Sequence, residues 1–401
     1  MKYLILLGDG MADEPLAELG GKTPLEAAVT PHMDALAAQG ETGMVQTVPE
    51  GFPPGSDVAN LSALGYDPHL YYTGRSPLEA VSMGVHLSDE DVAFRCNLVT
   101  LSDEENYAGK TMLDYSAGEI STAEAGTLIA DIGRLMGNQA LRFYPGISYR
   151  HLLVWSGGPE KTVLTPPHDI SGQPVADYLP QGEGADTLRR LMEESNKHLP
   201  DHPVNSKRIR ENQRPANSVW LWGQGKKPAL PSFKDRYQLT GSVISAVDLV
   251  KGIGLCAGLE VVEVAGATGN IHTNFRGKTE AALHELKRGQ DFVFVHVEAP
   301  DEAGHQGDLA IKIKAIEEVD KMLGQLLQGI SQFPAFRIMV LPDHPTPLSI
   351  RTHTGNPVPF VRYAKGNDTK NAAKGYSEAE AKKSGLFYPN GPALMDSFIC
   401  K

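Results

Sequence analysis

Five acidic and histidine side chains in the last third of the sequence have the types and spacing of metal ligands. The segment VHVEAPDEAGHQGD supplies Asp301 and His305, and LPDHPTPLSIRTHTGNPVPF supplies Asp343, His344 and His353. Asp301 and His305 are four residues apart, so in a helix both side chains lie on one face. Carboxylates and imidazoles together suit Mn²⁺, Zn²⁺ or iron. A single residue of this kind is usually a cap or a turn residue, but the five together predict a metal site.

These candidate ligands follow apolar runs that are typical of buried strands. FVFVHVE ends at Glu298, RIMVL ends at Leu341, and a third run, KYLILL, ends just before Gly8 and Asp9. In an open α/β sheet, ligands bind beyond the carboxyl ends of the strands. We therefore expect Asp9 to lie at the same kind of strand end as the later candidates.

Ser56 lies where a Pro- and Gly-rich stretch passes into a helical pattern. Serine at such a junction most often caps the helix. The same position presents the hydroxyl at a helix N-terminus, where free N–H groups and the helix dipole stabilise a phosphate. Ser56 is therefore interpreted as a cap, as a nucleophile, or as both in different states.

The order of strand and helix patterns predicts an α/β fold with an insertion. Residues 23–40 indicate two short helices, and alternating strands and helices from residue 216 onward indicate a mainly parallel sheet. Between them, residues 117–136 and the run DTLRRLMEESNKHL indicate helices, and residues 141–155 indicate a hairpin. We predict a discontinuous core, residues 1–112 and 206–401, and a smaller inserted α+β domain, residues 113–205.

The composition indicates a soluble globular protein of two-domain length. The chain has 401 residues, 41% of them hydrophobic, and its net charge of -12 argues against nonspecific nucleic-acid binding. Cys96, Cys256 and Cys400 have neither disulfide nor zinc spacing, as expected in a reducing cytoplasm. No run has the length of a signal segment or a membrane span. We predict a cytoplasmic protein without a membrane partner. The sequence leaves the oligomeric state open, with a homo-oligomer as one alternative.

Five dispersed segments, taken in order, resemble one known family. They are GDGM with Asp9, PGSDVANL with Ser56, the segment with Asp301 and His305, Asp343 with His344, and His353 before PVPF. The set is similar to the archaeal-type cofactor-independent phosphoglycerate mutases of the alkaline phosphatase superfamily, which also occur in bacteria. The similarity extends over nearly the whole chain, including GGKTPLEAA, YYTGRSPLEA and SAVDLVKGIG.

This resemblance implies an alkaline-phosphatase-like core with two divalent metal ions and no 2,3-bisphosphoglycerate. The metals would be Mn²⁺ or Zn²⁺, with Mg²⁺ and Co²⁺ as alternatives. One would be surrounded by Asp9, Ser56, Asp343 and His344, and the other by Asp301, His305 and His353. The implied reaction interconverts 2- and 3-phosphoglycerate, small phosphorylated substrates, through a phosphoserine at Ser56. The inserted domain would act as a lid that excludes water.

Several further residues are candidates for binding the substrate. The basic ones are Arg95, Arg150, His151, His168 and Lys278, with Arg75 equally suited to a structural role before a helix. Strand arginines often form only surface pairs, and a histidine between Pro and Asp can simply shape a turn. Asp57 and Asn60, beside Ser56, would orient substrate hydroxyls or cap the first helical turn.

Asn60 also indicates an alternative acceptor for the phosphoryl group. The resembled archaeal mutases commonly read GSD-x-AH, whereas this chain has GSDVAN, and an amide cannot shuttle a proton as imidazole can. Proteins with this variant resemble proposed homoserine kinases with the same metals and serine. The chain has no GxxxxGK[ST] loop or protein-kinase signature, which argues against nucleotide use. A phosphatase and a non-catalytic metal-binding protein are the remaining readings.

Overall fold

The computed structural model describes residues 1–366 and 373–400. The chain divides into two compact units, each with its own sheet: the core unit, Met1–Tyr72 and Ala229–Lys401, and the inserted unit, Thr73–Pro228. No helix within the described ranges is long and apolar enough to cross a membrane.

The described residues form thirteen strands and fifteen α-helices. The strands are β1 (Lys2–Gly8), β2 (Glu41–Val45), β3 (Asp91–Leu101), β4 (Met112–Asp114), β5 (Leu141–Tyr144), β6 (Arg150–Ser156), β7 (Ser218–Lys226), β8 (Gly241–Ile244), β9 (Glu260–Val261), β10 (Phe292–Val297), β11 (Phe336–Leu341), β12 (Val358–Ala364) and β13 (Phe387–Tyr388). The helices are α1 (Pro24–Ala27), α2 (Pro31–Gln39), α3 (Ser56–Ala63), α4 (Pro68–Tyr71), α5 (Ser76–Ser82), α6 (Thr122–Met136), α7 (Ala185–His198), α8 (Pro203–Arg210), α9 (Phe233–Tyr237), α10 (Asp248–Cys256), α11 (Phe275–Arg288), α12 (Ala299–Gln306), α13 (Leu309–Ile330), α14 (Glu378–Lys383) and α15 (Gly391–Cys400).

The core unit is built on an eight-stranded, mainly parallel sheet in the order β13-β2-β12-β11-β1-β10-β8-β9. β1 lies between β10 and β11 and is parallel to both, with Leu7 opposite His296 on one side and Leu341 on the other. Only β12 runs antiparallel to its two neighbours. The predicted α/β fold with a mainly parallel sheet is confirmed, and the three central strands end at one edge.

The central strands are continuous apolar runs because both of their faces are buried. β10 is buried along its whole length, and β1 is buried from Tyr3 onward. Side chains of these strands share one apolar cluster with residues of α2, α11 and α13. The packed sheet thus provides a rigid base for the loops at its carboxyl edge.

The inserted unit is built on an antiparallel sheet. β3 pairs with β6 on one side and with β7 on the other, while β5 extends the sheet beyond β6. The predicted hairpin corresponds to β5 and β6, and the two predicted helices correspond to α6 and α7. Apolar residues of these helices pack with those of β3 and β7 in one cluster.

The inserted unit is larger than the sequence indicates. Its predicted range, residues 113–205, corresponds to a compact unit that spans Thr73–Pro228. The difference arises because β3 and β7, which lie in the ranges predicted for the core, pair with each other instead of joining the parallel sheet. β3 also pairs with β6 of the inserted unit. The domain boundaries placed at residues 112 and 206 are corrected accordingly.

Candidate active site

The carboxyl edge of the core sheet brings Asp9, Asp301 and Asp343 together. Asp9 directly follows β1, Asp301 lies in the first turn of α12 after β10, and Asp343 follows β11. The backbone N–H of Asp9 donates to the Val297 carbonyl at 2.9 Å, which ties the ends of β1 and β10. Strand order therefore determines which polar residues meet at this edge.

Asp301, His305 and His353 form one cluster of ligand atoms. The Nε2 atoms of His305 and His353 each lie 3.3 Å from an Asp301 oxygen and 2.9 Å from each other. Burial opposes ionisation of Asp301, but hydrogen bonds with both histidines hold its pKa well below the usual value. The hydrogen bond with Asp301 raises the pKa of His305 to about 9. The cluster thus pairs a buried carboxylate with two imidazoles.

A second cluster joins Asp9, Asp343, His344 and His296 in the interior. His344 Nε2 lies 3.6 Å from Asp9 Oδ1 and 3.4 Å from Asp343 Oδ2. His296 Nε2 contacts Asp9 Oδ2 at 2.9 Å. Burial and the nearby carboxylates of Asp343 and Asp301 raise the pKa of Asp9 well above its usual value. Such crowding of carboxylates is stabilised by a bound cation.

Ser56 lies beside this second cluster. It is the first residue of α3, and Gly55, in extended backbone conformation, precedes it as the N-cap. No side chain caps this helix, so the cap interpretation of Ser56 is wrong. Ser56 Oγ instead lies 3.1 Å from His344 Nε2. The hydroxyl therefore stands at a helix N-terminus and next to a candidate ligand, as a phosphate-accepting nucleophile requires.

Asn60 links the serine to a candidate ligand and is completely buried. Its Nδ2 donates to Asp343 Oδ2 at 2.7 Å and to the Ser56 carbonyl at 2.9 Å. Both partners are acceptors, which settles the orientation of the amide. These contacts differ from both sequence interpretations of Asn60, which were orientation of substrate hydroxyls and capping of the helix.

The other two substrate candidates of the core unit are held by protein groups. Asp57 Oδ2 accepts a hydrogen bond from the Tyr72 hydroxyl at 2.5 Å, and its Oδ1 accepts one from the N–H of Val58. Lys278 Nζ is buried and donates to the His296 carbonyl at 3.0 Å. Burial lowers the pKa of Lys278 to about 8. The structure therefore places Lys278 beneath the sheet edge, where it supports β10.

In the inserted unit, Arg95 belongs to a cluster of basic and aromatic side chains. Arg95 is nearly buried, its Nε lies 3.1 Å from Glu79 Oε2, and its guanidinium stacks 4.5 Å above the Trp222 ring. Arg75 shares the same carboxylate, 3.0 Å away. Burial lowers the pKa of Arg95 to about 10. The carboxylate of Glu79 thus contacts two guanidinium groups.

The remaining basic candidates lie on the same unit in different surroundings. His168 is exposed and packs edge-on against Trp222 and Tyr115. Arg150 is exposed and stacks on Tyr149.

His151 is buried, and its Nδ1 accepts a hydrogen bond from the Gly146 N–H at 2.9 Å. Burial lowers the pKa of His151 to about 3. Its surroundings are therefore those of a neutral core histidine, unlike those of the other basic candidates.

Sequence reasoning missed His296 and Thr346. Thr346 Oγ1 donates to Asp301 and lies 3.3 Å from His344 Nδ1. His296 is the polar residue within the apolar strand β10, just before Asp301 in sequence, and that interruption is a signal that could have identified it. Thr346 follows the Asp343 and His344 pair but has no comparable signal.

The donor set fits divalent metal ions. Ligand atoms of Asp301, His344 and His353 lie within 4.8 Å of one another, and so do those of Asp9, His296 and Asp343. Asp9 Oδ1 is buried without a hydrogen-bond partner among the described residues, which is costly unless a cation binds there. The resemblance places His344 with Asp9 and Asp343, whereas the structure groups it with Asp301 and His353. The reason is that His344 lies near ligand atoms of both groups, with Nε2 3.6 Å from Asp9 Oδ1.

The geometry of the site defines a class of enzyme. A serine hydroxyl at a helix N-terminus, beside two groups of carboxylates and imidazoles at the edge of a mainly parallel sheet, is typical of metal-dependent phosphoryl-transfer enzymes.

Comparisons with known proteins identify the family within this class. A profile of the family described as 2,3-bisphosphoglycerate-independent phosphoglycerate mutase matches residues 37–205. A probable member from Geobacter sulfurreducens is 55% identical over 401 residues, 100% of both chains, and a Methanosarcina barkeri enzyme is 52% identical over 96% of both. The chain belongs to the 2,3-bisphosphoglycerate-independent phosphoglycerate mutase family.

Two solved structures share this fold. A Pyrococcus horikoshii protein is 31% identical with a TM-score of 0.83, covering 100% of this chain and 96% of its own. A cofactor-independent phosphoglycerate mutase from Thermoplasma acidophilum is 28% identical with a TM-score of 0.67, covering 100% and 99%. The family and the donor set together imply the use of divalent metal ions.

Proposed function

We propose that this enzyme interconverts 2-phosphoglycerate and 3-phosphoglycerate without 2,3-bisphosphoglycerate, using Ser56 as a transient phosphoryl carrier. The observation that carries the proposal is the contact of Ser56 Oγ with His344 Nε2, 3.1 Å apart, within the candidate metal ligands. Relatives of 55% and 52% identity over nearly their whole length bear the mutase name.

The proposed reaction has two phosphoryl transfers that mirror each other. In the first, Ser56 Oγ loses its proton and bonds to phosphorus, the bond from phosphorus to the substrate oxygen breaks, and that oxygen takes a proton to give glycerate. In the second, the other glycerate hydroxyl loses a proton and bonds to the phosphorus of phosphoserine, the bond from phosphorus to Ser56 Oγ breaks, and Oγ takes a proton. Bound divalent ions would lower the pKa of the serine hydroxyl and neutralise phosphoryl charge. No nucleotide or oxidant enters the balance.

The fold positions Ser56 for this chemistry. The start of α3 would offer backbone N–H groups to the phosphoryl oxygens, because the first N–H groups of a helix have no partner within it. Asn60 ties the Ser56 carbonyl to Asp343, so the nucleophile and a ligand keep a defined separation. Preorganised groups of this kind supply most of the catalysis in phosphoryl transfer.

We propose that Arg95 of the inserted unit binds the glycerate carboxylate. The Arg95 guanidinium contacts Glu79 through Nε, and stacking on Trp222 fixes its plane. A planar guanidinium binds a carboxylate through two parallel hydrogen bonds. His168 and Arg150 are exposed on the same unit and remain candidates for further anion contacts. The inserted unit would act as the lid that retains glycerate.

We propose Mn²⁺ or Zn²⁺ as the bound metals. The ligands are oxygen and imidazole nitrogen, which both ions accept, and no cysteine belongs to either group of candidate ligands in the described residues. Mg²⁺ and Co²⁺ are alternatives to be compared in the same assay. A cytoplasmic location agrees with three free cysteines.

The homoserine-directed alternative is not favoured. It rested on Asn60 in the place of a histidine, and Asn60 donates to Asp343 in the interior. Close relatives are named as mutases instead.

The test is a substrate comparison with metal-loaded protein. We expect 2-phosphoglycerate from 3-phosphoglycerate in the absence of 2,3-bisphosphoglycerate, little free phosphate, and no product from ATP with homoserine. The Ser56→Ala variant should be inactive, whereas Ser62→Ala, in the same helix, should retain activity. Absence of 2-phosphoglycerate with all four metals would overturn the proposal, and phosphate release faster than isomerisation would indicate a phosphatase.

A further inference from the structure

Two histidines of the site direct Nε2 at the other candidate ligands. His305 Nδ1 lies 3.0 Å from the Arg351 carbonyl, which only accepts, so this nitrogen carries the proton. His344 Nδ1 lies 3.3 Å from Thr346 Oγ1, whose single hydrogen is donated to Asp301. His344 Nδ1 must therefore also carry its proton. In both rings Nε2 is therefore the nitrogen that a metal ion would take, as in histidines that bind metals, and in His305 the ion would replace the proton shared with Asp301.

In His296 the contacts place the proton on the other ring nitrogen, Nε2. Its Nε2 lies 2.9 Å from Asp9 Oδ2. A bound cation would keep Asp9 ionised, and an ionised carboxylate can only accept, so in that state Nε2 carries the proton. Its Nδ1 lies 3.2 Å from Ser245 Oγ. Ser245 Oγ accepts from the Val247 N–H at 3.0 Å and can donate its own hydrogen to Nδ1. The serine thus selects the tautomer that directs an N–H at Asp9.

The contact also fits the backbone geometry of the sheet. His296 lies opposite Leu7 in the parallel pairing of β10 with β1, two residues before Asp9. The Asp9 N–H donates to the carbonyl of Val297, the next residue of β10. Side chain and main chain of Asp9 are therefore both held by the end of one strand.

We infer that His296 is a positioning residue for the metal site and not a ligand, although it lies within ligand distance of Asp9 and Asp343. By holding Asp9 Oδ2, its Nε2–H leaves Oδ1 as the ligand atom. Oδ1 is the Asp9 oxygen that is buried without a hydrogen-bond partner in the described part of the chain. The inference rests on the metal requirement of the proposed function and is independent of which substrate is used.

Nuclear magnetic resonance tests the tautomer in the unaltered protein. Protein labelled with ¹⁵N-histidine is compared before and after addition of Zn²⁺, and the His296 signals are assigned by their loss in the His296→Gln variant. We expect the proton on Nε2 of His296 to persist with Zn²⁺ bound. Loss of this proton on Zn²⁺ addition would make His296 a ligand and overturn the inference.

Calorimetric titration with Mn²⁺ measures how far the loss of His296 weakens metal binding. Loss of a partner that orients a ligand weakens metal binding by about 10–100-fold, which we expect for His296→Leu. His296→Gln keeps an N–H donor and should recover most of the affinity. Wild-type affinity in His296→Leu would refute the role, and if that variant does not fold, the resonance experiment decides.

A pair of serines provides the matched control. Ser245→Ala removes the hydroxyl that selects the tautomer, whereas Ser242→Ala removes an equally buried hydroxyl of β8 that donates to Glu285. We expect weaker Mn²⁺ binding only for Ser245→Ala. Equal affinities for the two variants would contradict the inference. Neither assay contains substrate, so failure of the mutase proposal is seen separately.

Discussion

Replacing Asn60 by alanine tests whether the tie between α3 and Asp343 supports catalysis. The substitution removes the 2.7 Å bond to Asp343 Oδ2 and the 2.9 Å bond to the Ser56 carbonyl. Asn60 is completely buried, so water does not readily replace its amide. Asp343 keeps the N–H groups of Gly10 and His344 as donors to its Oδ1, and only Oδ2 loses its donor.

The size of the effect follows from the charge on Asp343. A hydrogen bond to a charged group contributes about 1.5–3 kcal/mol. Each 1.4 kcal/mol of lost transition-state stabilisation lowers the rate by about tenfold. If the full bond energy is expressed in the transition state, kcat falls by roughly ten- to hundredfold. KM should change little, because the Asn60 amide contacts protein groups only.

Steady-state kinetics with 3-phosphoglycerate at saturating Mn²⁺ measures both constants. Ser62→Ala is the control, because Ser62 lies in the same helix, is equally buried, and accepts a hydrogen bond from the Gly391 N–H at 3.2 Å. We expect it to lose stability while keeping kcat. A wild-type kcat for Asn60→Ala, or an equal fall in kcat for both variants, would refute the reasoning.

Three further predictions concern metal, substrate and pH. Mn²⁺ at 100 times its dissociation constant should stabilise the fold by about 2.7 kcal/mol, seen as a rise in Tm that a chelator reverses and that Asp9→Asn diminishes; an unchanged Tm would contradict the metal site. Arg95→Ala should raise KM for 3-phosphoglycerate at least tenfold and Arg95→Lys less, while Arg134→Ala, an exposed control in the same unit, leaves KM unchanged. Burial opposes ionisation of Asp91, but hydrogen bonds from Ser156 and Ser88 lower its pKa to about 2. Its contribution of roughly 2 kcal/mol is therefore present above pH ~4 and lost as the pH falls towards 2. Urea denaturation should show Asp91→Asn less stable than wild type at pH 7 but not at pH 2, and an equal deficit at both would contradict this assignment.

The sheet edge could be predicted from the sequence because its determinants are local. Each apolar run of β1, β10 and β11 is followed within a few residues by a carboxylate, and parallel strands place such residues at one edge. Nothing beyond the order of the residues was needed to expect Asp9, Asp301 and Asp343 together.

The extent of the inserted unit could not be predicted in this way. VAFRCN and SVWLW are apolar runs that fit a core strand as well as they fit β3 and β7. Which strand pairs with which depends on tertiary contacts, since periodicity describes burial and not the partner.

The contacts of Asn60 and His296 could not be predicted from the sequence either. Asn60 lies 283 positions from Asp343, and the bond between them has no local pattern. His296 is visible in sequence as a polar interruption of a strand, but its tautomer depends on Ser245, 51 positions away.

Trapping the phosphoryl intermediate tests the central claim most directly. Protein loaded with Mn²⁺ is mixed with 3-phosphoglycerate, quenched in acid within the first turnover, and digested for mass spectrometry. We predict phosphate on the peptide that contains Ser56, at a level that falls when substrate is exhausted by a coupled reaction, and none in Ser56→Ala. Active enzyme that isomerises the substrate without phosphate on Ser56, or a Ser56→Ala variant that still isomerises it, would contradict the account.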